Sequence, residues 1–140
     1  MRPLQSAFPV ALALAALLPT RVTAQQSTLQ TASLPAPQVL SMSDITRLVS
    51  NNTLVGVSAN GSPYRAYFAG DGSVRFNNAA ITDQGTWHVS SEGQLCTTLP
   101  HVNQAEHCYT IAMEGRVILY EANGVPEGSF RVVTGNPMGL

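Results

Sequence analysis

From Thr53 onward, apolar and polar residues alternate, and the alternation breaks at short intervals on glycine-bearing dipeptides: Asn60-Gly61, Asp71-Gly72, Glu92-Gly93, Glu114-Gly115 and Asn123-Gly124. Between these breaks lie segments rich in β-branched and aromatic residues, at 53–57, 64–68, 73–76, 85–90, 94–98, 107–113, 117–121 and 128–134. A period of two puts successive side chains on opposite faces, and tight glycine turns join antiparallel neighbours, so the pattern predicts hairpins in series. About eight such strands can close on themselves, which removes the open edges that promote aggregation. The fold class read from this pattern is all-β, a small antiparallel meander closing into an up-and-down barrel of about eight strands with one short N-terminal helix. A sandwich of two sheets is the alternative arrangement of the same strands.

The period changes before Thr53. Within 41–49, Ile45, Leu48 and Val49 share one face at i, i+3 and i+4, Ser43 reads as the N-cap, and Asp44 complements the dipole of the first turn. Asn51 and Asn52 end this helix, whose single apolar stripe suits it to plug one end of the barrel. Residues 25–40 are rich in Gln, Ser, Thr, Ala and Pro and read as a flexible leader. Upstream, Arg2 precedes an apolar run at 8–18, and Val22 and Ala24 supply small residues at a cleavage site. That is the layout of a secretory signal peptide over 1–24, followed by a single β-barrel domain over 41–140, periplasmic or secreted. The apolar run is too short for a stable membrane span.

Alternation also assigns faces. Leu54, Phe68, Trp87, Val89, Leu95, Tyr109, Ile111, Met113, Leu119, Phe130 and Val132 are expected to point inward, with Trp87, Tyr109, Phe130 and Phe68 as the structural core. These side chains are large enough to fill a short barrel. His88, between Trp87 and Val89, is expected to face solvent.

Charge narrows the range of partners. Only 11% of the 140 residues are charged, all seven basic residues are arginine, and the formal net charge is −1. Loss of 1–24 removes Arg2 and Arg21 and leaves five arginines against eight acids, a charge of −3. Neither a basic footprint for nucleic acid nor a polybasic membrane patch is available. Arg65, Arg75, Arg116 and Arg131 recur at outward or rim positions, where they solubilise the barrel or, gathered at one mouth, would contact an anionic ligand.

Candidate chemistry is sparse. No Gly-rich phosphate loop, HExxH, CxxC or GxSxG occurs, so no cofactor and no catalytic residue is assigned. Cys96 and Cys108 fall on one face of consecutive strands, opposite Leu95 and Tyr109, and an exported chain with two cysteines is expected to join them in a disulfide. The rival is a metal site that also uses His101 and His107, but the spacing matches no standard zinc pattern, and no metal is assigned. Asp71 and Asp83 sit at expected turns, where their carboxylates would bond local backbone.

The succession Asn52-Thr53-Leu54-Val55-Gly56, Tyr67-Phe68-Ala69-x-Asp71-Gly72-Ser73-Val74-Arg75, Gly85-Thr86-Trp87-x-Val89, Gln94-Leu95-Cys96, Cys108-Tyr109 and Gly135-Asn136-Pro137 resembles small secreted proteobacterial proteins assigned to domains of unknown function. The resemblance spans about 43–140 and implies a calycin-like barrel and export, with no catalytic residue to carry over. It departs at Thr98-Leu99-Pro100, where such proteins often carry a further Trp. The function expected from the sequence is an exported, non-enzymatic binding module whose partner is another exported protein, of inhibitor or accessory type. The alternative is a small-ligand carrier of lipocalin-like type, and an unrecognised enzyme stands third.

Overall fold

The computed structural model describes residues 35–140, and the segment expected to be a signal peptide and most of the expected leader lie outside them. The chain runs through β1 (Gln38–Val39), α1 (Met42–Val49), β2 (Asn52–Ser58), β3 (Pro63–Phe68), β4 (Ser73–Asn78), β5 (Thr82–Val89), β6 (Leu95–Thr98), β7 (His107–Glu114), β8 (Val117–Ala122) and β9 (Val125–Thr134). Strands β2 to β9 each pair antiparallel with the next, and β9 returns to pair with β2, so eight strands form a closed up-and-down barrel. The sandwich alternative is thereby excluded. The turns form where the glycine dipeptides stand. At Asn123-Gly124 both residues have positive φ, 52° and 75°, as a two-residue type I′ hairpin requires.

One strand was not legible as a strand. Gln38 and Val39, in the segment read as leader, pair with Met113 and Ala112 of β7. The reason is a mismatch of lengths: β6 has four residues and β7 eight, so β6 covers only the first part of β7 and leaves a free ladder edge for β1. The helix also begins earlier than its pattern indicates. Ser41 is the N-cap, its Oγ accepting from the Asp44 N–H at 3.2 Å and donating to the Asp44 carboxylate at 2.6 Å. This reciprocal arrangement resembles a capping box, with Asp44 at the third helical position. Asn51, at φ 58°, takes the left-handed conformation just past the helix end, and Asn52 Nδ2 donates to the Leu48 carbonyl.

Because α1 precedes β2, it lies at the end of the barrel where the β3–β4, β5–β6 and β7–β8 turns lie. Ile45 and Val49 are fully buried there, joining Leu54, Phe68, Val74, Leu95, Ile111 and Phe130 in one core. Trp87, half-buried, packs at the same end: its ring meets Phe68 edge-on at 5.6 Å, and its Nε1–H donates to the Ala69 carbonyl at 2.8 Å. Two inward assignments are corrected. In β8, Ile118 is buried while Leu119 is only partly so, because the unbroken apolar run 117–120 carries no alternation to fix its face. Met113 follows the inward parity of Tyr109 and Ile111 but ends β7 beside a turn, where 36% of it is exposed.

Candidate functional site

The lumen of the barrel is not filled. A cavity of about 260 Å³ runs along it, with walls that include Leu54, Ala66, Phe68, Val74, Leu95, Ile111 and Phe130 and a rim at Ser58, Ser62, Asn78, Val102, Asn103 and Glu127. The rim residues lie in or beside the β2–β3, β4–β5, β6–β7 and β8–β9 connections, so the cavity opens at the end opposite α1. The space exists because the large inward side chains face small ones. Ala66 stands between Leu54 and Phe76 across the ladder, and Gly56 and Gly128 leave room for the hydroxyls of Tyr64 and Tyr120, which an added Cβ would strike.

Towards the mouth the wall is aromatic. Tyr64 stacks on Phe76 with centroids 5.8 Å apart, and Tyr120 stands edge-on to both Tyr64, at 6.1 Å, and Tyr109, at 5.4 Å. Phe130 closes the row at 6.1 Å from Tyr120. Burial raises the Tyr64 hydroxyl far above the ordinary tyrosine range, with the neighbouring Tyr120 adding to it. Burial likewise raises Tyr109, followed by the proximity of Tyr120 and of the Glu127 carboxylate. Burial raises Tyr120 as well, so all three phenols are neutral donors and acceptors at physiological pH.

Two polar side chains at this mouth escaped the sequence reading. Asn103 Oδ1 accepts from the Leu99 N–H at 2.9 Å, which fixes the amide, and the buried Nδ2 makes no well-formed hydrogen bond. Glu127 is the other. In the β8–β9 ladder Tyr120 pairs with Gly128 and Glu121 with Pro126, so Glu127 is the extra residue of a β-bulge. A bulge re-aims a side chain, and this one brings Glu127 to the cavity against the strict alternation that would have put it outside. The sequence signal was Pro126 and Gly128 beside it, a pair that weakens regular pairing.

The loop between β6 and β7 is held in three ways. The disulfide Cys96–Cys108 joins directly opposed positions of the two strands, with Cα atoms 4.0 Å apart, as expected. The Leu99 carbonyl accepts from the N–H groups of Val102, Asn103 and Gln104. Asp83 supplies the third tie and corrects the sequence reading, which placed it in a turn. It lies in β5, and its buried carboxylate accepts from the His101 N–H at 2.7 Å and from the Gln84 N–H, and meets His101 Nδ1 at 2.9 Å. Its partner is 18 residues away, which no local pattern reveals. The pair has the form of the orienting half of a hydrolytic triad, but among the described residues no hydroxyl bonds the remaining His101 ring nitrogen.

Burial raises the Asp83 carboxyl, but the bonds from the His101 side chain, the His101 N–H and the Gln84 N–H outweigh it, so its pKa lies below the ordinary value. A carboxyl depressed on folding stabilises the fold above its unfolded-state pKa and loses that contribution as pH falls through the folded-state value. Asp83→Asn is therefore expected to flatten the loss of thermal stability below about pH 4, measured as Tm against pH, relative to the parent chain. An unchanged acid limb would contradict the assignment.

The four arginines do not gather at the mouth. Arg65, Arg75 and Arg131 are exposed on β3, β4 and β9, and Arg116 lies in the β7–β8 turn at the helix end. None of them lines the cavity, where Glu127 is the one charged residue among the described residues. His88 is exposed as expected and lies 3.5 Å from Glu106. With Cys96 these two form the one grouping of potential metal ligands among the described residues, but Cys96 is committed to the disulfide and offers no thiolate. No helix among the described residues is long and apolar enough to cross a membrane.

Comparison of the chain with protein-family models, curated proteins and solved structures finds no match. The functional reading therefore rests on the site itself.

Proposed function

We propose that this chain is an exported binding module, without covalent chemistry of its own, that holds a small and largely apolar ligand inside the barrel. The observation that carries this reading is the lumen cavity of about 260 Å³, closed by the helix at one end and open at the other. It lies just below the usual range for ligand pockets and well above the roughly 150 Å³ in which an apolar protein cavity takes up benzene. The disulfide agrees with an oxidising compartment and so with export. The protein-partner reading favoured from the sequence assumed a filled lumen, and that premise does not hold. It keeps one support, the exposed apolar side chains of Val57, Val102 and Val125 at the mouth end.

Indole, a neutral ring small enough for the lumen, tests the reading by amide chemical-shift perturbation. Shifts are expected at Ala66, Val74 and Ile111 and not at the outward Arg65 and Thr86. Ala66→Phe places a ring where the cavity now is and should weaken indole binding at least tenfold, at an overpacking cost of about 1 to 3 kcal/mol that a disulfide-clamped barrel tolerates. Shifts confined to the outer wall, or unaltered binding by the folded variant, would refute a lumen site.

A further inference from the structure

Resting on the lumen reading above, we infer that the ligand is a small organic cation, an alkylated ammonium carrying an acceptor oxygen, seated against the Tyr64, Tyr109 and Tyr120 rings with its charge facing Glu127. Three observations converge on this class. The first is the wall itself. Tyr120 stands at 89° to both Tyr64 and Tyr109, and all three tyrosines line the cavity. Ring faces are negative and attract a weakly hydrated cation, most strongly where water is excluded.

The second is the sign of the charge. All the arginines among the described residues lie outside the cavity, and its one charged lining residue is a carboxylate. That carboxylate is delivered by a bulge, with Gly128 at φ 152° beside it, although regular pairing would have turned it to solvent. Glu127 is half-buried at the open rim, where it repels an anion with no cation to offset it and attracts a cation. The third is Asn103, whose buried Nδ2 makes no well-formed hydrogen bond, with the Tyr109 hydroxyl as the protein group beside it. A hydroxyl or carbonyl oxygen on the ligand would satisfy it, and a buried donor without a partner is otherwise costly.

Three isosteric probes separate this inference from the lumen reading on which it rests. Choline, 3,3-dimethylbutan-1-ol and 3,3-dimethylbutanoate share a branched head of the same size and differ in charge. By calorimetric titration of the purified protein, choline is expected to bind about tenfold more tightly than the neutral alcohol, and the anion more weakly than either. Glu127→Gln keeps the shape and hydrogen-bonding reach of the side chain, and it should cost choline about tenfold while leaving the alcohol unchanged. Binding of the alcohol as tightly as choline would overturn the cation while leaving the lumen site standing. So would a choline affinity unmoved by Glu127→Gln. If no probe binds and indole fails as well, the lumen reading falls and the cation with it.

Discussion

Trp87→Ala is expected to lower the stability of the barrel by about 3 to 4 kcal/mol, read from the midpoint of urea unfolding. The ring is half-buried, which places the loss in the lower part of the usual range for removing a large aromatic from a core. Several losses add at one position. The edge-on contact with Phe68 disappears, the Ala69 carbonyl loses the indole donor, and the end of the barrel where Ile45 and Val49 dock is left with a void. Trp87→Phe separates these contributions, since it keeps a ring and gives up the hydrogen bond, for an expected cost of about 1 kcal/mol. Native domains are stable by only about 5 to 15 kcal/mol, so a loss of this size is a large fraction of the total. An alanine variant with the parent midpoint would show that this end of the barrel does not depend on the indole.

Removal of the disulfide, as Cys96→Ala with Cys108→Ala, is expected to cost about 2 to 4 kcal/mol. The bridge closes a separation of 12 residues, for which loss of loop-closure entropy in the unfolded chain amounts to roughly 3 kcal/mol. Its position predicts a second effect. Both cysteines flank the loop that carries Val102 and Asn103 to the mouth, so the double variant should also bind lumen probes more weakly under conditions in which it is folded. Thermal unfolding with and without a reductant checks the energetic part, and titration of the folded variant with indole checks the other. A melting temperature indifferent to reduction would remove the bridge from the account of stability.

The outer face and the lumen face were legible to different degrees. Cys96 and Cys108 follow directly from alternation, because both lie in regular stretches of ladder and each is opposite the other. Phe68, Phe130 and Tyr109 follow for the same reason. Leu119 does not, since four consecutive apolar residues fit either face and only the register against Phe130 selects Ile118 for burial. Glu127 was out of reach for a stricter reason: a bulge changes the parity of the residues around it, so counting by twos along β9 gives the wrong side.

What the sequence by itself determined is the local part: strands from the period of two, turns from glycine and asparagine, a helix from one apolar stripe, and the disulfide from two cysteines at matching parity. These depend on neighbours within a few residues, where sterics and pairing rules act. Only the tertiary structure decided that β9 closes on β2, that Gln38 and Val39 complete the edge of β7, that Asp83 holds a loop 18 residues away, and that the lumen stays open. Each of these depends on which distant residues come together when the barrel closes. Whether a cavity remains is a small difference between the volume that eight strands enclose and the volume their inward side chains fill, and that difference is a property of the closed barrel, not of any one strand.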